Sequence, residues 1–129
     1  MKAVPLGRAV QLITGPHALA GLPYLSLDLV ESATGHYEPD TQSESDGTLA
    51  EPGDVLFGKL RPYLHKVARV TTPTACSGEF LVLRPRGINS RFLEYVALSR
   101  PFVGWAARSA YGVKMPRTSW DVMRSFEIA

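Results

Sequence analysis

Cysteine and long apolar runs are both scarce in this sequence of 129 residues, which contains a single cysteine, Cys76. One cysteine excludes an intrachain disulfide and a zinc site built from several cysteines, and it fits a reducing compartment. No apolar run approaches the roughly eighteen residues that a membrane-spanning helix needs. The N-terminal MKAVPLGRAVQL also lacks the long apolar region of a signal peptide. We therefore expect a cytoplasmic protein without a membrane anchor.

Basic residues are scarce in the first part of the chain, and acidic residues are scarce in the second. Residues 1–54 contain two basic and eight acidic residues, whereas residues 55–129 contain twelve basic and four acidic residues. Such a division is typical of a protein with one face that meets a polyanion. Basic side chains scattered around the surface would give the same counts, so charge alone leaves both interpretations open.

Composition and length favour one globular domain. Apolar residues make up 45% of the chain and charged residues 20%, close to the averages of soluble globular proteins. A chain of this length can bury a core but is short for two domains. We therefore expect residues 1–129 to form a single domain.

Apolar and β-branched runs bounded by turn residues predict the strands. The run EFLVL, residues 79–83, is almost entirely apolar, which predicts a central strand buried on both faces. Gly58 indicates a bulge or a close backbone approach within another strand. Cys76 is expected to be a buried or half-buried residue beside a strand. The predicted strands are residues 23–27, 54–59, 66–70, 79–83 and 126–128, and the second, third and fourth of these form the sheet.

Helical spacing and capping residues predict short helices around this sheet. The predicted helices are residues 4–14, one turn capped by Asp28, a helix capped by Ser90 and broken by Pro101, and a short helix that Thr118 and Asp121 begin. Residues 38–53 are polar, acidic and rich in turn residues, which predicts a long surface loop. The predicted fold class is therefore α/β (α+β), a single mixed-sheet domain with peripheral short helices.

A first cluster of basic and aromatic residues follows the strand in the segment GDVLFGKLRPYLHK, residues 53–66. Lys59, Arg61 and Tyr63, together with His65 and Lys66, alternate with mostly apolar residues. In an extended conformation this alternation would place the hydrogen-bond donors on one face. The segment therefore predicts a sheet edge or ribbon with one side toward a polyanion.

A second cluster lies in a glycine-containing loop between two helical segments, and comprises Arg108, Ser109, Tyr111, Lys114 and Arg117. Arginine and lysine neutralise phosphates and pair with guanine, while serine, tyrosine and backbone groups fix the register on DNA. If both clusters converge on one groove, they form a nucleic-acid reader. Basic loops with aromatics also occur on proteins that bind no nucleic acid.

Catalytic readings have weaker support. Asp54 and Glu79, on neighbouring strands, could bind Mg²⁺ in a nuclease, but Glu79 is not followed by the lysine of the common restriction-nuclease pattern. The chain lacks the motif G-x-S-x-G, so the sequence indicates no hydrolase nucleophile. It also lacks G-x-G-x-x-G, so it indicates no binding site for a nucleotide or a methyl donor. The three histidines are scattered. We expect no catalytic residue, no metal ligand and no cofactor.

Four ordered motifs carry a resemblance to a known family: GDVLFGKLRPYLHKV, CSGEFLVLRPRG, FLEYVALS and YGVKMPRTSW. In this order they resemble a target recognition domain of the specificity subunit of type I restriction-modification enzymes. The opening GLPYLSLDLVESATGHY is similar to the beginning of that domain, and the resemblance covers nearly the whole chain.

The resemblance implies a non-catalytic domain that reads one half of a split sequence on double-stranded DNA through major-groove contacts. Methylation and cleavage would belong to separate methyltransferase and motor/endonuclease subunits, with DNA facing the loop around Lys59, Arg61 and Tyr63 and the loop 109–117. The alternative is a module that docks on the partner subunits without reading DNA.

The family's subunit has two such domains separated by long helices, and no helical spacer follows residues 126–129. We therefore expect an excised domain, a truncated product, or a half-subunit whose second recognition domain comes from another chain or a dimer.

Overall fold

The computed structural model describes residues 3–15, 17–18, 21–40, 46–112 and 115–128. The strands within these residues are β1 Val4–Pro5, β2 Val10–Ile13, β3 His17–Ala18, β4 Tyr24–Leu25, β5 Asp46–Ala50, β6 Val55–Gly58, β7 Val67–Arg69, β8 Thr74–Cys76, β9 Phe80–Pro85 and β10 Glu127–Ile128. The helices are α1 Leu6–Ala9, α2 Ser90–Leu98, α3 Arg100–Ser109 and α4 Trp120–Met123, and 3₁₀ turns occur at Leu27–Leu29 and Pro62–Leu64.

A central antiparallel sheet has the strand order β2-β9-β6-β7. Successive side chains of a strand point to opposite faces, and here both faces are buried. Phe57 and Leu83 belong to a core shared with α2 and α3, whereas Leu56 and Val82 belong to a second core on the other face. Burial of both faces explains why EFLVL is a continuous apolar run, and the prediction of a central strand there is confirmed.

Two capped helices cover one face of the central sheet. The Asn89 side chain accepts hydrogen bonds from the first amides of α2, and Ser99 caps α3 in the same way. Phe102 of α3 packs edge to face against Phe57 of the sheet and against Phe126, with ring centroids 4.9 and 5.0 Å apart. These contacts fix α3, and therefore the loop that follows it, relative to the end of β6.

A second four-stranded sheet covers the other face and has the order β3-β5-β8-β4, with β4 parallel to β8. Cys76 in β8 is fully buried, as expected, and its thiol donates to the Thr48 carbonyl oxygen at 3.3 Å. Strands β1 and β10 form a separate two-stranded ribbon. The α/β class with short peripheral helices is confirmed, with the strands distributed over several sheets.

Several predicted boundaries are wrong. Residues 4–14 form one helical turn between two strands, because Val10–Ile13 pairs with β9. The predicted loop 38–53 contains β5, a polar strand held by pairing with β8. The turn near Asp28 begins at Leu27 and is a 3₁₀ turn.

Three predicted helix boundaries also need correction. Asn89, not Ser90, caps α2. Pro101 lies in the first turn of α3, where its missing N–H is tolerated, so it begins a new helix. The short helix near the C-terminus begins at Trp120 after Ser119, and the Thr118 side chain does not cap it.

Candidate nucleic-acid interface

The two basic clusters predicted from the sequence lie side by side at one end of the central sheet. We call residues 59–66 the first basic loop and residues 108–117 the second basic loop. The Thr118 amide donates to the Lys59 carbonyl oxygen at 2.9 Å, and the Arg61 amide donates to the Pro116 carbonyl oxygen at 2.6 Å. Main-chain bonds therefore connect the loops, and side-chain substitutions can leave that connection in place.

The first basic loop is not the extended ribbon that the alternating pattern predicted. Arg61 and His65 both have left-handed backbone conformations, with φ of 48° and 57°, and they flank the 3₁₀ turn Pro62–Leu64. Because of this turn, successive side chains do not alternate between two faces as they would in a strand. Pro62 is buried, while Tyr63 is 59% exposed. The Lys66 ammonium points inward and donates to the Val30 carbonyl oxygen at 2.5 Å.

The second basic loop is closed by a small ladder at its base. The Tyr111 amide donates to the Arg117 carbonyl oxygen at 3.2 Å, and the Arg117 amide donates back at 3.0 Å. Tyr111 is 68% exposed and Met115 is 49% exposed. Of the predicted site residues, Lys114 lies outside the described residues. The closed base presents two large side chains to solvent beside Arg61.

Two other predicted residues of the second basic loop differ in their surroundings. The Ser109 hydroxyl donates to the Trp105 carbonyl oxygen at 2.6 Å, one turn back in α3, so it serves the helix end. Arg108 is exposed in the last turn of α3. The exposed cations described at this end of the molecule are thus Arg61, Arg108 and Arg117, with Lys59 partly buried below them.

An ion pair joins the second basic loop to the start of β9. Arg117 donates to both carboxylate oxygens of Glu79, from Nε at 3.1 Å and from Nη2 at 2.5 Å. The hydrogen bonds from Arg117 hold the pKa of Glu79 below its ordinary value, and the same contact raises the pKa of Arg117. The sequence analysis considered Glu79 as a metal ligand. No pattern in the sequence predicts its contact with Arg117.

The proposed pair of metal-binding carboxylates is separated by the sheet register. Val55 pairs with Leu83 and Gly58 with Phe80, so Asp54 and Glu79 lie at opposite ends of the β6–β9 pair. The five residue steps along the strand from one level to the other correspond to about 17 Å. Asp54 is bound by Arg84 through two hydrogen bonds of 2.9 Å, and Glu79 is bound by Arg117. The nuclease site suggested by these two residues is therefore wrong.

Two buried polar atoms flank the loops without a hydrogen-bond partner among the described residues: Nε2 of His65 and Oγ1 of Thr118. Such groups are rare in folded proteins and concentrate at functional or strained sites. His65 ends the first basic loop, and Thr118 follows the second. The positions of these two atoms agree with the candidate interface but do not identify a ligand.

Outside this region, an apolar cleft of about 320 Å³ lies between α2 and β10. Phe92 and Tyr95, one helical turn apart at its edge, are 41% and 73% exposed. Among the described residues, no helix has the length and apolarity to cross a bilayer.

Comparison with known proteins identifies the fold class. No family model and no curated protein matches the chain. The fold is one that S subunits of type I restriction-modification systems contain, so the resemblance stated from the sequence is confirmed at the level of the fold.

Three solved structures illustrate the match. The HsdS subunit from Thermoanaerobacter tengcongensis has a TM-score of 0.78 and 20% identity, over 98% of this chain and 37% of that chain. A structure describing complex assembly and conformational transition of the type I R-M system has a TM-score of 0.75 and 21% identity, over 96% and 36% of the two chains. The type I S subunit from M. genitalium has a TM-score of 0.66 and 9% identity, over 98% and 33%. The chain spans about a third of the length of each of these proteins.

Proposed function

We propose that this chain is a target recognition domain that reads one half of a bipartite sequence on double-stranded DNA for a type I restriction-modification complex. One observation carries the proposal: two basic loops, far apart in sequence, are joined by main-chain hydrogen bonds at one end of the sheet. The likeness to S subunits, which concerns the fold, supports the same function.

The arrangement suits recognition of a duplex. Arg61 and Arg108 provide charge for phosphates, and Lys59 is partly buried at the start of the first basic loop. Tyr63 and Tyr111 add large exposed side chains that offer both apolar contact and a hydroxyl for hydrogen bonding. Since main-chain bonds already hold both loops, little conformational entropy is lost on binding. A single module of this kind buries about 600–1,000 Å² of its surface, and most of its affinity depends on salt.

The chain would recognise DNA without reacting with it. Methyltransferase and motor/endonuclease subunits would supply methylation and cleavage, and a second recognition domain, from another chain or a dimer, would read the other half-site. We propose no catalytic residue, metal or cofactor for this chain. Its binding residues would be Lys59, Arg61, Tyr63, Arg108, Tyr111 and Lys114, with Lys66, Ser109 and Arg117 supporting the loops from their contacts inside the protein.

The alternative function is docking on partner subunits without DNA reading. The observation that favours it is the apolar cleft bordered by Phe92 and Tyr95 on α2. Exposed aromatic pairs of this kind are typical of protein contacts. The cleft and the basic loops are lined by different residues, so the two functions are separable by substitution.

A salt series on a random-sequence duplex of 30 base pairs tests DNA binding. Arg61→Glu and Lys59→Glu should each weaken binding and reduce the slope of log affinity against log salt by about one, as loss of one phosphate contact requires.

The matched control is Arg91→Glu. Arg91 is exposed on α2 near Gly53, to which Ser90 is hydrogen-bonded, at the opposite end of β6 from the loops. It should bind like the parent. A parent chain without salt-dependent binding, or a control that weakens binding as much as Arg61→Glu, would exclude the proposal.

A further inference from the structure

We propose that Glu79 is a positioning residue for the second basic loop, and that its carboxylate increases discrimination between DNA sequences while weakening general attraction to phosphate. The inference rests on the proposed function. It concerns a residue that the sequence analysis considered only in the weaker alternative, as a Mg²⁺ ligand.

Glu79 contacts both basic loops through different atoms. Its main-chain carbonyl oxygen accepts from the Lys59 amide at 2.9 Å, while its carboxylate accepts two hydrogen bonds from Arg117. Its own amide donates to the Ser77 hydroxyl at 3.2 Å, which fixes the turn before β9. Replacing the carboxylate with an amide, as in Glu79→Gln, therefore removes the charge and one of the two acceptors for Arg117, and leaves the Lys59 contact in place.

The carboxylate restrains a loop that has few other anchors. Among described residues, main-chain bonds hold the second basic loop at Tyr111, Pro116 and Arg117, near its base. A bidentate arginine–carboxylate pair adds a fixed orientation to the guanidinium as well as to the backbone that carries it. Without Glu79, Arg117 would lose that orientation, and the loop would sample more conformations.

The pair is placed for positioning rather than for fold stability. Its side chains are 44% and 31% exposed, and exposed ion pairs contribute little to stability. The lowered pKa of Glu79 keeps the carboxylate ionised at neutral pH. A negative charge beside Lys59 and Arg117 repels phosphate and so lowers affinity for every duplex. The fixed loop, in contrast, favours the sequence that it fits, and therefore raises discrimination, which is a ratio of two affinities.

The test uses a duplex enriched by the parent chain from a random-sequence pool, and a shuffled duplex of the same composition. Glu79→Gln should lower the ratio of the two affinities about tenfold, and should raise affinity for the shuffled duplex about twofold. The double variant Glu79→Arg with Arg117→Glu should recover part of the ratio, because it restores an ion pair of opposite polarity.

The matched control is Glu94→Gln. Glu94 accepts from Arg69 at 3.3 Å in an ion pair between α2 and β7, with side chains 25% and 21% exposed. Arg69 pairs with Val55, at the end of β6 away from the basic loops. Glu94→Gln removes the same charge from another ion pair with arginine, and should leave both affinities unchanged.

A second readout needs no DNA. Hydrogen exchange at the amides of Arg61, Arg117 and Thr118 should be faster in Glu79→Gln, whereas the amides of β9 should exchange as in the parent. A merely structural role would instead accelerate exchange throughout the sheet and lower both affinities together.

The outcomes separate the two proposals. A parent chain that enriches no sequence overturns the proposed function, and this inference with it. A parent that enriches a sequence, with Glu79→Gln retaining the parent's ratio, overturns this inference alone. A lowered ratio with unchanged exchange at the three loop amides would show direct contact by Glu79 and would overturn the positioning role.

Discussion

Thr118 donates its amide N–H to the carbonyl oxygen of Lys59 at 2.9 Å, and this bond connects the end of the second basic loop to the beginning of the first. The contact uses main-chain atoms only, so it persists when either side chain is replaced. Binding and folding should therefore respond to different substitutions in this region.

Tyr63→Ala and Tyr111→Ala should each weaken affinity for duplex DNA about threefold to tenfold without changing its salt dependence. Both side chains are neutral and mostly exposed, so their loss removes contacts but no phosphate neutralisation. Tyr95→Ala, on α2, is the control with a comparably exposed ring and should bind like the parent. Titrations at two salt concentrations measure both quantities. A changed salt slope in the tyrosine variants would contradict the assignment of a neutral contact.

Gly58→Ala should destabilise the fold by about 1–3 kcal/mol, the usual range for overpacking. A β-carbon at Gly58 would lie 2.7 Å from Leu27 Cδ2 and 3.1 Å from Lys66 Cβ. Gly78→Ala is the control, because nothing lies within 4 Å of a β-carbon there, and its backbone does not require glycine. Urea unfolding of both variants measures the difference. Equal stability of the two would show that the approach of Leu27 relaxes without strain.

Arg84→Met should destabilise the fold by about 3 kcal/mol, because it removes the cation from a buried carboxylate and leaves it with the Glu51 amide as donor. Asp54 is 1% exposed and accepts two hydrogen bonds from Arg84. Arg86→Met removes an exposed arginine two residues further along and should have little effect. Thermal and urea unfolding provide the comparison, and a stable Arg84→Met would mean that Asp54 finds other donors.

Cys76 should resist alkylation in the native protein at pH 8 and react promptly in denaturant. Burial, and secondarily the negative charge of Asp54, raises the pKa of its thiol to about 12. The reactive thiolate is therefore disfavoured throughout the neutral range, and native reactivity should rise only toward that pH. Iodoacetamide labelling followed by mass spectrometry gives the rates. Equal rates in the native and denatured protein would contradict the burial of Cys76.

The sequence predicted the central strands well because both their faces are buried. The segments 80–83 and 55–57 are continuous apolar runs of the length typical of buried strands. The segment 4–14 was misassigned because Leu6, Ala9, Val10 and Ile13 fit a helical period as well as they fit the observed turn and strand. Strand Asp46–Ala50 has no strong local signal, since its pairing with β8 determines its conformation.

The sequence predicted the two basic loops but not their geometry. Composition indicated both basic loops, yet their proximity depends on hydrogen bonds between residues far apart in sequence, such as Arg61 and Pro116. The left-handed conformations of Arg61 and His65 replaced an expected ribbon with a 3₁₀ turn. The side-chain contacts that Lys66 and Arg117 make within the protein likewise follow from tertiary structure, because each has a partner from another part of the chain.

The paired main-chain bonds between Tyr111 and Arg117 also bear on protein engineering. They close the loop at its base, and they do so without using the side chains of the intervening residues. A library randomised between these two positions, with Gly112 retained because its φ of 105° favours glycine, would therefore keep the closed base while varying the reading surface. New DNA preferences could then be selected from one framework, and each change of preference would be attributable to the randomised residues alone.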